Sequence, residues 1–180
     1  ERRLTTDRTA DPSAGYRNAI DRLLKRVEAM AVGIDSSLLP LCIFIAGGTG
    51  VFLHTGTRAS RDIDASLSLR VHLPDDLEEV YEDRHGEPAS VYLDPNYNTL
   101  GPMHENAYDD AQPIPVAGID RRKLDVRVLA PIDLAISKLG RFSDRDRDDI
   151  VDLARAGLID ADALQAHGAD LIAAQALDVI

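Results

Sequence analysis

The segment Ile45-Ala-Gly-Gly-Thr49, followed by Arg58-Ala-Ser-Arg-Asp62-Ile-Asp64, constrains this chain more than any other feature. Cys42 to Ala46 is short, apolar and β-branched, which predicts a strand buried on both faces. Gly47-Gly48 breaks that strand, and Thr49 to His54 predicts a short helix after it. Two glycines between a buried strand and a helix let backbone approach a ligand closely, and the helix start offers N–H groups to an anion. Thr49 adds a hydroxyl donor or a helix N-cap. Asp62 to Leu69 alternates as a second strand, so Asp62 and Asp64 share one face while Ile63 points to the core. Two like charges side by side repel unless a cation sits between them. Oxygen-only ligands of that kind suit Mg²⁺, which keeps waters and shares substrate phosphates. Taken singly, the glycines read equally as a plain turn, and the acids as a solvated strand face.

The rest of the chain bounds what this unit sits in. One hundred and eighty residues make one domain, at most with a helical appendage. Hydrophobic residues are 44% of the chain, enough for a core and too many for a disordered segment. The net charge of −11 disfavours a broad basic face of the kind that coats nucleic acid. The apolar run Leu38 to Ala46 is too short for a membrane span, and Glu1 to Pro12 has no apolar stretch of a signal peptide. The cytoplasm is therefore the expected compartment, without membrane association. Cys42 is the single cysteine, so no intramolecular disulfide and no multi-cysteine metal cluster can form.

Residues 1–15 read as a frayed arm, 16–130 as the core and 131–180 as a helical part packed on it. Ile20, Leu23, Leu24, Val27 and Met30 have helical spacing. Pro74 to Arg84 has helix-start chemistry, with Leu77, Val80 and Tyr81 apolar. Ala89 to Leu93 is a strand candidate, and Pro115 to Leu129 reads as a hairpin. Asp94 to Pro115 gives no clear assignment. Helices are expected over 132–140, 143–156 and 160–177. The class is α+β, with a small mixed sheet flanked by helices.

Gly47-Gly48-Thr49 followed by Ser60-Arg61-Asp62-Ile63-Asp64 resembles the signature of the DNA polymerase β-like nucleotidyltransferases. Pro131-Ile-Asp-Leu-Ala-Ile-Ser-Lys138-Leu, then Arg145-Asp-Arg-Asp-Asp149-Ile-Val-Asp152-Leu153, resembles the abortive-infection (AbiEii-like) toxin branch in particular. The resemblance covers roughly residues 40–165. It implies that fold, and transfer of a nucleoside monophosphate from an NTP to an acceptor with Mg²⁺, or Mn²⁺ in its place. It also implies the toxin half of a bacterial toxin–antitoxin pair, with an antitoxin protein as partner and an RNA such as tRNA as acceptor. The acidity of the chain keeps a small-molecule or protein acceptor open, as well as a catalytically silent copy that binds a partner.

On that resemblance Asp62, Asp64, Lys138 and Asp149 are the catalytic candidates. Gly47, Gly48, Thr49, Arg58, Ser60 and Lys138 would hold the nucleotide, and Asp62, Asp64 and Asp125 the metal. Each has a plainer reading. Asp125 shares a strand face with Arg127 and can simply pair with it, Lys138 can snorkel at a helix rim, and Asp149 can be a solvated helix acid. Arg58 and Arg61 contact phosphate or pair with the neighbouring carboxylates. The histidines at 54, 72, 85, 104 and 167 show no metal-ligand spacing, and Tyr92, Tyr97 and Tyr108 are too sparse for a stacking platform.

Overall fold

A computed structural model describes residues 13–94, 103 and 105–177 of the chain. The sequence from Glu1 to Pro12, Tyr97 and His104 lies outside them. Five helices, α1 (Ala14–Met30), α2 (Gly47–Thr55), α3 (Pro131–Leu139), α4 (Asp144–Arg155) and α5 (Ala161–Leu177), flank one mixed sheet. Its strands are β1 (Leu41–Ile45), β2 (Asp62–Leu67), β3 (Glu78–Glu82), β4 (Pro88–Asp94), β5 (Gln112–Pro113) and β6 (Leu124–Val128), in the order β3-β4-β2-β1-β6-β5. β1 runs antiparallel to β2 and parallel to β6, and β2 runs parallel to β4.

Tyr16, Ile20, Leu23, Leu24 and Val27 place the apolar stripe of α1 on one sheet face, against Leu41, Ile43, Ile45, Ile63 and Leu124. Each such side chain contributes ~2 kcal/mol by leaving water, which suffices to fix the helix there. The opposite face of β1 and β2 carries Phe44, Asp62 and Asp64. Phe44 packs into a second cluster with Ala46, Val51, Leu129, Leu134 and Leu153, which joins α2, α3 and α4 above this face. β1 is thus fully buried on the α1 side and half-buried on the other. Among the described residues no helix is long and apolar enough to cross a membrane.

Several expectations are corrected. Ala14 and Gly15, expected in the arm, belong to α1. Gly15 serves a close approach there, since a Cβ on it would lie 2.5 Å from the Glu82 carbonyl oxygen. The helix expected over Pro74 to Arg84 is instead strand β3, paired antiparallel with β4. Leu77, Glu79 and Tyr81 face inward with period two, and the Asp83 carboxylate caps the following turn by accepting from the His85 and Glu87 N–H groups. Arg22 and Arg26 of α1 donate to the Val80, Glu78 and Asp76 carbonyls and hold this edge. The expected hairpin survives only as β5 and β6, with Val116 outside both. Pro113 and Pro115 lack the N–H groups a longer ladder needs.

Candidate active site

The first turn of α2 and the start of β2 meet face to face. Gly47 opens the helix with φ +58°, a left-handed conformation that favours glycine. A Cβ on it would lie 2.7 Å from Asp64 Cγ and 3.0 Å from Asp64 Cβ. The Ala46 N–H donates to the Asp64 carbonyl at 2.8 Å, so the end of β1 is pinned beside Asp64. Gly48 faces the next loop, where a Cβ would sit 3.1 Å from Ser60 Oγ and 3.7 Å from an Arg58 nitrogen. Ser60 in turn donates to Asp62 Oδ1 at 2.7 Å. Gly47 is therefore packed against Asp64, and Gly48 against Ser60 and Arg58, with Ser60 bound to Asp62.

Thr49 belongs to the support of this arrangement. Ala46, not Thr49, is the cap residue of α2. The Thr49 side chain is fully buried, and its hydroxyl donates to the Asp62 carbonyl at 2.7 Å. That bond uses its proton, so the Tyr16 hydroxyl, 2.7 Å away, donates to Thr49 in turn. Burial pushes the Tyr16 phenol up to about 12, which keeps this donor protonated. α1, α2 and β2 are locked together directly beneath Asp62.

Asp64 titrates at about 6, raised first by burial and then by the charges of Asp62 and Asp94, with Lys138 and Arg141 opposing. Asp94 was missed by the sequence reading because its strand ends there. β4 is parallel to β2 and pairs Asp64 with Asp94, so the two carboxylates share a sheet face. Asp125 is the contrary case. Its strand pairs it with Cys42, four residues down β1 from Ala46, or ~13 Å along the strand at ~3.3 Å per residue. Arg121 and Arg127 hold its two oxygens at 2.9 and 2.8 Å. Burial raises its carboxyl, yet the two guanidinium groups outweigh that and leave it below the usual range. The expectation that Asp125 shares a metal with Asp62 and Asp64 is thereby corrected; distance and two arginines separate it from them.

α3 and α4 bring the other candidates over the same face. Lys138 is buried, with Nζ 2.6 Å from Asp149 Oδ2 and 3.8 Å from Asp146 Oδ1. Arg58 donates to Asp149 Oδ1 at 2.7 Å, so one buried carboxylate joins the α2–β2 loop to Lys138. Asp146 receives a bidentate pair from Arg141 at 2.8 Å and also accepts from the Ser143 hydroxyl, in a capping box at the start of α4. Arg141 above all, with Ser143 adding, holds Asp146 well below the ordinary carboxylate value against the cost of its burial. Neither Asp146 nor Arg141 was singled out from sequence, although Ser143 three residues before Asp146 is the pattern of a capping box. Arg61 is exposed and contributes its carbonyl to the Tyr92 N–H. His54 bonds the Leu129 carbonyl and His167 the Asp133 carboxylate.

Three acids crowd one sheet face, with a raised titration at its centre, and oxygens are the only donors. That is a fit for a hard divalent cation. Among the described residues no set of three His, Cys, Asp or Glu side chains is close enough to hold a metal alone. A cation bound here would have Asp62 and Asp64 as its protein ligands, with its remaining positions left to water and substrate.

An antiparallel β1–β2 pair joined by a glycine-started helix, with an Asp-x-Asp on the strand that follows, is the core of an α+β nucleotidyltransferase fold. The chain belongs to the family described as "Nucleotidyltransferase of unknown function (DUF6036)", whose model matches residues 21–177. No curated protein and no solved structure matches it.

Proposed function

We propose that this protein is an NTP-dependent nucleotidyltransferase of the toxin type. One observation carries the reading: the Asp62/Asp64 pair stands across the Gly47-Gly48 turn, with the buried Lys138–Asp149 pair on the same side of the sheet. Asp62 and Asp64 would hold Mg²⁺ together with the triphosphate. The bound ion would neutralise charge on the phosphates as the bond to the leaving group breaks.

The chain's own residues supply the rest. The backbone N–H groups of the first α2 turn would meet the phosphate oxygens, while the room left by Gly47 is taken by the Asp64 carboxylate. Arg58 and Lys138 bring two positive charges to the triphosphate, oriented through Asp149. An acceptor hydroxyl attacks the α-phosphorus, the bond from that phosphorus to the bridging oxygen breaks, and pyrophosphate leaves. Asp94, in register with Asp64 on the neighbouring strand, would take the hydroxyl proton. The resemblance of the Lys138 and Asp149 segments to the AbiEii-like branch supports an RNA acceptor, a bacterial toxin role and an antitoxin partner. The net charge of −11 is the argument for a small-molecule or protein acceptor instead.

Incubation with each α-labelled NTP, Mg²⁺ and total cell RNA tests the chemistry. Label in an RNA band, lost with Asp64→Asn, is the expected result; label in protein would move the acceptor class, and no label with any NTP sinks the proposal. Slowed bacterial growth on expression, abolished by Asp64→Asn, would support the toxin role; equal growth of both strains would remove it.

A further inference from the structure

The sheet face that carries Asp62 and Asp64 continues across β4 and β3. Parallel pairing sets Tyr92 beside Asp62 as it sets Asp94 beside Asp64, so all four side chains stand on one face. The Tyr92 N–H donates to the Arg61 carbonyl at 3.1 Å and fixes this register. Adjacent strands lie ~4.8 Å apart, which brings the tyrosine to the flank of the carboxylate pair. Val91 and Leu93, on either side of it in β4, turn to the opposite face and are buried with α1. Tyr92 itself is 45% exposed, and Val80 of β3, paired with Ser90 on the same face, is 65% exposed. An aromatic ring and an aliphatic side chain thus stand in the open beside the acids. β2, β3 and β4 contain no Lys, Arg or His. This strip can therefore receive a flat apolar group but offers no cation to phosphate.

The direction of the strip assigns its occupant. In phosphoryl transfer the attacking and leaving oxygens lie roughly in line through the phosphorus. α2 follows β1, and β1 and β4 lie on opposite sides of β2. With the triphosphate against the first turn of α2, pyrophosphate leaves on that side and the attacking hydroxyl comes from the β4 side. Asp94 lies there, two residues beyond Tyr92 on the same face, or ~6.6 Å along the strand. A nucleoside bridges that span, with its hydroxyl toward Asp94 and its base over Tyr92. Resting on the nucleotidyltransferase reading above, we infer that Tyr92 is the stacking platform for the 3′-terminal base of the acceptor RNA. Tyr92, Tyr97 and Tyr108 are too sparse to stack several bases, yet one ring held in register serves a single base. Every base has a π-face, so the platform receives any terminal nucleoside. Without a cation along the strip, the grip is on that nucleoside and not on the phosphates that precede it.

Short single-stranded RNAs that differ only in the 3′-terminal residue, including one whose last ribose lacks its base, test this in the transfer assay with Mg²⁺ and each α-labelled NTP. Tyr92→Ala and Tyr92→Phe are compared with the parent, and melting temperatures confirm that both fold, as the exposed position allows. The expected result for Tyr92→Ala is an acceptor KM raised about 10-fold or more for every terminal base, with the NTP KM unchanged. Tyr92→Phe keeps the parent's values. In the parent the abasic RNA shows the same rise, and Tyr92→Ala adds nothing to it, because ring and base belong to one contact. An unchanged acceptor KM in Tyr92→Ala overturns the inference and leaves the nucleotidyltransferase reading standing. A rise in the NTP KM in its place also overturns it, by putting the ring under the donor base. If the parent labels another acceptor but none of these RNAs, the inference falls and the transfer chemistry stands. If the parent transfers no label from any NTP, both fall together.

Discussion

The Asp64 carboxylate fills the space into which a side chain at position 47 would grow, with Cγ 2.7 Å from the place of a Gly47 Cβ. A helix start and a strand start are thereby packed to backbone distance, and the carboxylate is half-buried by the same contact that brings it to the glycine turn. The two residues depend on each other: only glycine admits Asp64 here, and only that proximity sets the acid against the first turn of α2.

Gly47→Ala should accordingly cost about 3 kcal/mol or more, combining a left-handed alanine with a clash at Asp64. Gly48→Ala has 3.1 Å to Ser60 Oγ and should cost less than about 1 kcal/mol. Denaturant titration of the two variants measures the difference. Equal stabilities would contradict the packing described. Gly48→Val, which extends toward Ser60 and Arg58, should fold but weaken NTP binding strongly.

Asp64 carries a pH dependence whose sign follows from its titration at about 6 against 3.8 for an ordinary carboxyl. Between those values the folded chain binds the extra proton, so stability should fall as pH rises from about 4 to about 6 and then level off. The ionised acid costs about 2 kcal/mol at neutral pH once its partial exposure is discounted. Asp64→Asn should recover that stability at pH 8 while abolishing transfer. Thermal melts at pH 5 and 8 would show it; a destabilised Asp64→Asn at pH 8 would contradict the electrostatic account.

Removing Lys138 leaves Asp149 buried with Arg58 as its remaining partner. Lys138→Met should destabilise by about 3 kcal/mol and abolish NTP binding. Lys138→Met combined with Asp149→Leu should cost less than the sum of the single changes, because the pair is removed together. Additive losses in a double-mutant cycle would argue that the 2.6 Å pair is not coupled.

Asp94 and Asp125 separate the two ways of completing the carboxylate site. Asp94→Asn should lower the transfer rate at least about 100-fold and change its pH profile, as expected for the proton acceptor. Asp125→Asn should leave the rate near the parent's and cost about 1 kcal/mol through the weakened arginine contacts. Rates that fall for Asp125→Asn but not Asp94→Asn would reverse the assignment.

The unit from Leu41 to Leu67 was legible in the chain because its signals are local. A short β-branched run, two adjacent glycines and an Asp-x-Asp specify strand, turn, helix and strand through backbone sterics and side-chain alternation, whatever surrounds them. The helices after Pro131 were legible for the same reason, with Pro131 at the first position and Ser143 at a cap. The tertiary structure alone decided three things. Residues 78–82 became a strand because α1 and β4 offered an edge to pair with, although Leu77, Val80 and Tyr81 also satisfy helical spacing. Asp94 rather than Asp125 came to lie beside Asp64, since strand order and register depend on partners far apart in sequence. Thr49 turned inward because Tyr16, thirty-three residues earlier, reaches its hydroxyl. Spacing along the chain states which side chains share a face of one element; which elements then face each other is set by the packing of the whole core.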